Sequence, residues 1–251
     1  MELLLVGIGT GAPGHVTLEA VRALREAALV LVPRKGEGKE DLAHLRHAIL
    51  RDAGAEAKVV EFDYPVRDPA LPYQERVARW HDAIADRWID AIARACDGAG
   101  APDGPVALLV WGDPGLYDST LRIARRLSPA PKVRVIPGVT ALQALTSAHA
   151  IPFNSVNGAV QVTTGRRLRD HGWPEGASTV IVMLDGECSF QALDVPGLQI
   201  WWGAYLGMPE QILDHGPLPE AGPRIVARRA EARAAHGWIM DTYLLRVGDG
   251  F

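Results

Sequence analysis

Leu3-Leu4-Leu5-Val6-Gly7-Ile8-Gly9-Thr10-Gly11-Ala12-Pro13-Gly14 is a short apolar run that empties into a glycine-rich turn, and Thr17 to Ala27 continues it as a helical pattern. Strand, tight turn and helix in that order open a βαβ unit. The alternation carries on along the chain. Strands are expected at Leu29 to Val32, Ala57 to Phe62, Val106 to Trp111 and Val133 to Ile136. Helices are expected at Asp41 to Ala53, where Leu42, Leu45, Ile49 and Leu50 share a face, at Tyr73 to Ala95, and at Thr140 to Ala148. In the longest of these Val77, Trp80, Ile84, Trp88 and Ile92 recur every three or four residues, which assigns the tryptophans to the core. The pattern predicts a parallel sheet with crossover helices through residue 150.

Ala150-Ile151-Pro152-Phe153-Asn154 interrupts that rhythm, because proline restricts the residue before it and disfavours a continuing helix. The predicted domains are therefore 1–150 and 151–251. In the second, strands are expected at Val160 to Thr164, Thr179 to Leu184, Gln199 to Gly203 and Trp238 to Val247, with helices around Pro209 to Leu213 and Val226 to Ala235. Periodicity does not give their orientation, so this domain is simply α/β.

A chain of 251 residues admits one large or two ordinary domains at about 150 residues each. Its 48% hydrophobic and 22% charged content is that of a globular protein with a sizeable core. Lys plus Arg number 26 against 30 Asp plus Glu, a net charge of −4, so no bulk positive field favours nucleic acid or an anionic membrane. Cys96 and Cys188 are far apart and lack a Cys-x-x-Cys spacing, which argues against a disulfide framework or zinc knuckle and fits a reducing, cytoplasmic location. The apolar run at Leu3 is too short for a signal peptide, and no stretch approaches a membrane span.

Three loops leave the carboxyl ends of predicted strands, the edge where open α/β sheets bind ligands: Gly7 to Gly14, Gly112-Asp113-Pro114-Gly115-Leu116-Tyr117, and Pro137-Gly138-Val139-Thr140-Ala141. Gly7, Gly9 and Ala12 satisfy a dinucleotide fingerprint. The second strand, however, ends in Val32-Pro33-Arg34 instead of the carboxylate that would hold the ribose. As a P-loop, Gly9 and Gly14 are correctly spaced, yet His15 and Val16 occupy the Lys and Ser/Thr positions. His44 and His47 share a helical spacing but lack further ligands, so no metal is predicted, and no G-x-S-x-G elbow supports serine hydrolysis.

The order and spacing of these loops resemble the tetrapyrrole methylases, which methylate uroporphyrinogen and the precorrins with S-adenosylmethionine. Leu5-Val6-Gly7-Ile8-Gly9-Thr10-Gly11-Ala12-Pro13-Gly14 resembles the family's opening G-x-G-P-G-D, with Thr10 in the proline position. Trp111-Gly112-Asp113-Pro114 with Leu116 and Tyr117 resembles G-G-D-P-x-[IV]-[FY], and Pro137-Gly138-Val139-Thr140-Ala141 resembles P-G-[IV]-[ST]-[SA]. Thr179 to Leu184 is similar to the T-L-V-x-Y-M strand. Pro209-Glu210-Gln211 matches a later P-x-Q turn, with Leu206 where glycine is usual. Trp80-His81, Met183 to Cys188 and the stretch from Ala230 to Tyr243 are similar to a deacetylating branch of the family.

The resemblance implies two α/β domains of the tetrapyrrole methylase type, the first mainly a parallel sheet, with a cofactor cleft between them. It implies S-adenosyl-L-methionine as cofactor, S-adenosyl-L-homocysteine as product and no metal. Donor contacts carry over to Thr10, Trp111, Gly112, Asp113, Leu116, Thr140, Ala141, Leu184 and Leu206. The implied acceptor is a small-molecule tetrapyrrole, precorrin-5, methylated at C1 with release of acetate. A homodimer is allowed; nucleic acid and membrane are not expected as partners. Loss of the acyl group needs proton movement. His15, His81, Tyr117 and Asp185 are candidates, with Tyr117 first because its motif sets it beside the donor. Where uroporphyrinogen methylases carry a carboxylate after the second strand, this chain has Arg34. A polycarboxylate acceptor calls for guanidinium forks. Arg34-Lys35, Arg166-Arg167-x-Arg169 and Arg228-Arg229 are the clusters present, Arg34, Arg166 and Arg167 ranking first. The competing readings are another precorrin or uroporphyrinogen methylase, a family member acting on RNA or a translation factor, a nucleotide-binding module without catalysis, and a nicotinamide oxidoreductase.

Overall fold

The structure is a computed structural model, and it describes residues 1–34, 40–97 and 102–248. The chain divides into two units, Met1–Thr140 and Ala141–Phe251.

The first unit is a five-stranded parallel sheet in the order β3-β2-β4-β1-β5. Its strands are β1 (Glu2–Gly7), β2 (Leu29–Arg34), β3 (Lys58–Asp63), β4 (Val106–Val110) and β5 (Lys132–Ile136). The apolar run at Leu3 has no polar alternation because both its faces are covered. Leu3 and Leu5 pack with Ile84, Trp88 and Ile92 of α3 (Tyr73–Ala95) and with Ile123 of α4 (Thr120–Ala124). Leu4 and Val6 pack on the opposite face with Ala20, Ala23 and Leu24 of α1 (Leu18–Glu26) and Ile49 and Leu50 of α2 (Glu40–Ala53). Thr17 sets the start of α1, its hydroxyl accepting from the Ala20 amide at 3.0 Å, a cap that contributes about 1 kcal/mol.

One consequence of this topology positions the site. Neighbouring strands β1 and β4 send their following helices, α1 and α4, to opposite faces of the sheet. Their carboxyl ends therefore part at a topological switch point, where an open α/β sheet offers a crevice.

The second unit begins with α5 (Ala141–Ala148) and holds a mixed sheet in the order β6-β7-β10-β8-β9. Its strands are β6 (Val160–Thr164), β7 (Thr179–Met183), β8 (Leu198–Ala204), β9 (Ile212–Pro217) and β10 (Asp241–Val247). Only β6 and β7 run parallel; the other pairs are antiparallel. Val180, Val182, Ile200, Trp202, Tyr243 and Leu245 form one apolar face, covered by Leu168 of α6 (Gly165–His171) and by Ala221 and Ile225 of α7 (Leu218–His236).

The helix expected around Pro209 to Leu213 is not formed. The chain turns at Gly207, whose amide donates to the Gln211 side chain at 2.8 Å, and Ile212 to Pro217 then pairs with β8. Five residues opening on a proline cannot repay helix nucleation, whereas an edge strand bonds at once to an existing partner. The last strand starts at Asp241 rather than Trp238, and the Trp238 carbonyl accepts from the Tyr205 hydroxyl at 2.6 Å. Helix α7 starts eight residues before the expected Val226, from Leu218 through Pro219 and Pro223. Pro219 fits the first turn, where no amide donor is needed, while Pro223 forgoes a single bond inside the helix. Among the described residues no helix is long and apolar enough to cross a membrane.

Candidate functional site

The three glycine-containing loops of the first unit meet through their backbones. Gly9 and Gly112 form an isolated antiparallel bridge, the Gly112 amide donating to the Gly9 carbonyl at 2.8 Å and the reverse bond measuring 3.3 Å. This bridge joins the segments leaving β1 and β4 across the switch point. A Cβ on Gly7 would stand 2.6 Å from the Gly138 nitrogen and 2.9 Å from the Gly112 oxygen, so the third loop lies against both. No side chain fits between main chains at that separation.

Asp113 supplies the polar tie. One carboxylate oxygen accepts from the Gly115 amide at 2.7 Å and the other from the Gly138 amide at 3.0 Å. It thus closes its own turn and fastens the Pro137 loop to it. Thr10 is buried with its hydroxyl 3.0 Å from His15 Nδ1, which draws the imidazole into the first loop.

Gly112 differs from its neighbours. Its φ is +66°, and a Cβ there would meet only the Thr140 Cα, at 3.9 Å. The space over Gly112 is therefore open toward Thr140, a cradle that a side chain would fill. Trp111 is half-buried beside it, and Leu116 half-buried beyond. Tyr117, next along, is exposed and held at φ 49°, a left-handed conformation that costs a bulky residue about 1–3 kcal/mol. Unfavourable backbone at the end of a ligand-type loop fits a loop shaped for something other than stability.

In the second unit Leu184 is 66% exposed at φ 54°, directly after β7. Leu206 is buried, and its side chain packs over Gly203. Asp185 is buried and accepts from the Glu187 and Ser189 amides, the Ser189 hydroxyl and, at 2.6 Å, the Tyr243 hydroxyl. With four donors converging on it, this carboxylate is the knot of the turn after β7 rather than a proton carrier. Burial, and then the Asp185 charge, push the Tyr243 phenol far above its ordinary range, keeping it a donor.

The arginines separate into distinct environments. Arg34 faces Asp63 with two bonds of 3.0 Å and stands 3.9 Å from Glu61, so its fork already holds a carboxylate. Arg166 and Arg167 are exposed at the start of α6, a short helix that the sequence pattern left unassigned. Arg169 pairs with Asp170 and Glu187. Arg229 donates to Asp241 and to the Asp185 and Gly186 carbonyls, a structural brace, while Arg228 stands 3.3 Å from Asp214. Lys35 lies outside the described residues. His47 bonds Glu61 at 3.0 Å, and among the described residues no group of three or more His, Cys, Asp or Glu could hold a metal.

His81 is buried in α3, beside the Trp80 ring at 5.7 Å between centroids, and its Nε2 has no hydrogen-bond partner among the described residues. Burial, then the guanidiniums of Arg126, Arg122 and Arg67, lower its pKa. The imidazole is therefore neutral in the fold, while in the unfolded chain it titrates near about 6.5. Below that pH the unfolded chain binds a proton that the folded one refuses, so stability is full above about pH 6.5 and falls as the pH drops. His81→Phe is expected to flatten the decline of melting temperature between about pH 7 and 5.5; an unchanged slope would assign the decline elsewhere.

Sequence reasoning placed the loops on one edge but missed the Gly9 to Gly112 bridge and the buried Arg46 of α2, whose guanidinium lies 5.5 Å from the Trp111 ring centroid. Nothing in the motif spacing marks Arg46.

The family model described as Tetrapyrrole (Corrin/Porphyrin) Methylases matches residues 2–222. A precorrin-6A synthase [deacetylating] from Sinorhizobium sp. is 43% identical over 257 residues, covering 100% of this chain and 97% of that protein. A crystal structure of a putative cobalamin synthesis related protein (CobF) from Corynebacterium diphtheriae is similar at TM-score 0.81 and 38% identity, over 99% of this chain and 100% of the other. A uroporphyrin-III C-methyl transferase from Thermus thermophilus, solved with S-adenyl homocysteine, shares the fold at TM-score 0.58 and 20% identity, over 99% and 98% of the two chains.

Proposed function

Since the chain belongs to the tetrapyrrole methylase family and is a methyltransferase of cobalamin biosynthesis, we propose that it methylates precorrin-5 at C1 and releases acetate, yielding precorrin-6A. The observation that carries this reading is the 43% identity to a deacetylating precorrin-6A synthase across the whole chain. The donor is S-adenosyl-L-methionine, which supplies a methyl group already activated on sulfur.

The residues present fit such a donor. The open space over Gly112, bounded by Thr140, is a cradle that any Cβ-bearing residue would narrow. Thr10, Trp111, Gly112, Asp113, Leu116, Thr140 and Ala141 are the proposed donor contacts of that loop system; Leu184 and the Leu206 backbone are proposed from the second unit. Asp113 keeps the loops in register and retains lone pairs for a donor hydroxyl or ammonium, since each oxygen accepts only one backbone bond. In methyl transfer the protein's task is alignment and exclusion of water, with no covalent intermediate on a side chain.

Acyl loss consumes a water and needs a proton carrier. Tyr117 is the proposed one, being the exposed hydroxyl beside the donor loop. Arg166 and Arg167 are proposed to meet acceptor carboxylates, with Arg34 sharing its fork between Asp63 and the acceptor.

The experiment is incubation with precorrin-5 and methyl-labelled donor. One acetate is expected per methyl transferred to the tetrapyrrole. Label appearing in RNA alone, or donor binding without transfer to any precorrin, would replace the proposal.

A further inference from the structure

Arg46 has 6% of its surface exposed and is carried by α2, an element no motif touches. Its guanidinium carbon lies 5.5 Å from the centroid of Trp111, the residue before Gly112. At the other end of the same loop stands Asp118. That carboxylate accepts from the Thr120 amide at 2.6 Å and from the Thr120 hydroxyl, and the Asp118 carbonyl accepts from Arg122 at 2.9 Å, which fixes it to the start of α4. The Asp118 carboxylate favours the Arg46 charge, whereas burial pushes the phenol of Tyr64, just past β3, up to about 12 and keeps it neutral. Tyr64 in turn stacks on Trp80 at 5.8 Å, and Arg67 lies over that indole at 3.9 Å.

A guanidinium taken out of water is expensive unless its surroundings return the lost hydration. Here the Trp111 indole lies within reach of the guanidinium, and the Asp118 carboxylate at the other end of the same loop carries the opposite charge. We infer that Arg46 is a positioning residue for the segment from Trp111 to Asp118, drawing its tryptophan end and its aspartate end toward one buried charge. Between those ends lie Gly112 at φ +66° and Tyr117 at φ 49°, conformations the loop would relax from if either end came loose. Arg46 would thus set the donor site before the donor arrives, acting through Trp111 and Asp118 and touching no reacting atom. Burial pulls its pKa below the usual guanidinium value and outweighs the opposing influence of Tyr64 and Asp118.

This inference rests on the proposed donor site, and the test separates the two. Arg46→Met is expected to weaken S-adenosyl-L-homocysteine binding at least tenfold by calorimetry. Arg46→Lys keeps the charge but not the planar fork, and is expected to recover most of that loss. In the same proteins, hydrogen exchange at the Leu116 and Tyr117 amides should be at least tenfold faster in Arg46→Met, with exchange in β1 unchanged. The double variant Arg46→Met, Trp111→Leu should lose less than the sum of the two single losses, because the two side chains share one contact. Where Arg46→Met does not fold, Arg46→Gln takes its place in the same comparison. Additive losses, or wild-type exchange at Tyr117 in Arg46→Met, would overturn the inference. Wild-type protein that fails to bind S-adenosyl-L-homocysteine would remove the donor site, while the exchange result would still decide what Arg46 holds.

Discussion

Gly138→Ala is expected to destabilise the first unit by about 3 kcal/mol, the upper end for overpacking a closed site, and to abolish donor binding. The added methyl would stand inside the contact distance of the Gly112 carbonyl oxygen and 2.8 Å from the Gly7 carbonyl carbon. Both obstacles are main chain at the ends of central strands, so neither can swing aside as a side chain would. Relief requires parting the β1, β4 and β5 loops, which breaks the bond from the Gly138 amide to Asp113. Thermal denaturation should show a drop of about 6–12 °C for a chain of this size. A variant melting within about 2 °C of wild type would mean that the loops part at little cost, and the laced description would be wrong.

Gly112→Leu is the complementary experiment, with binding lost and folding kept. A Cβ at this position has free space, so the folding penalty is the left-handed backbone, about 1–2 kcal/mol. The rest of the leucine fills the cradle toward Thr140. Affinity for S-adenosyl-L-homocysteine should fall at least a hundredfold, about 2.7 kcal/mol, while the melting temperature falls by only a few degrees. Gly112→Ala should lie between. Wild-type affinity in Gly112→Leu would move the donor elsewhere. The contrast between positions 112 and 138, glycines of neighbouring loops, tests geometry rather than the general sensitivity of the region.

The first unit was legible in outline because its central strands β1, β2 and β4 are buried on both faces and each crossover is long. The expected Tyr73 to Ala95 is the observed α3, and the periodic residues Ile84, Trp88 and Ile92 are buried as expected, Trp80 only partly. Helices α4 and α6, of five and seven residues, went unseen because a periodic stripe needs more turns than they possess. The second sheet was harder. Mixed pairing leaves no sequence period, and β9 carries Asp214, His215 and Gly216, which read as loop until pairing with β8 is known. Of the site, the edge on which the loops sit could be read from strand ends. The bridge between Gly9 and Gly112 could not, because it is made by backbone atoms that every residue has. Arg46 was hidden for a related reason: a guanidinium on a helix reads as a solvated face until its neighbours from three other segments are placed around it.

Strand β1 lies between β4 and β5, with Leu3 registered against Val106 on one side and Val133 on the other. During synthesis at about 5–20 residues per second, roughly a hundred residues separate β1 from its first neighbour, so Leu3 to Val6 wait about 5–20 seconds for a neighbouring strand. That run is apolar, uncharged and free of proline, the composition that adheres to other nascent chains. Expression yield should therefore depend on the chaperone capacity of the host more than the stability of the finished sheet would suggest.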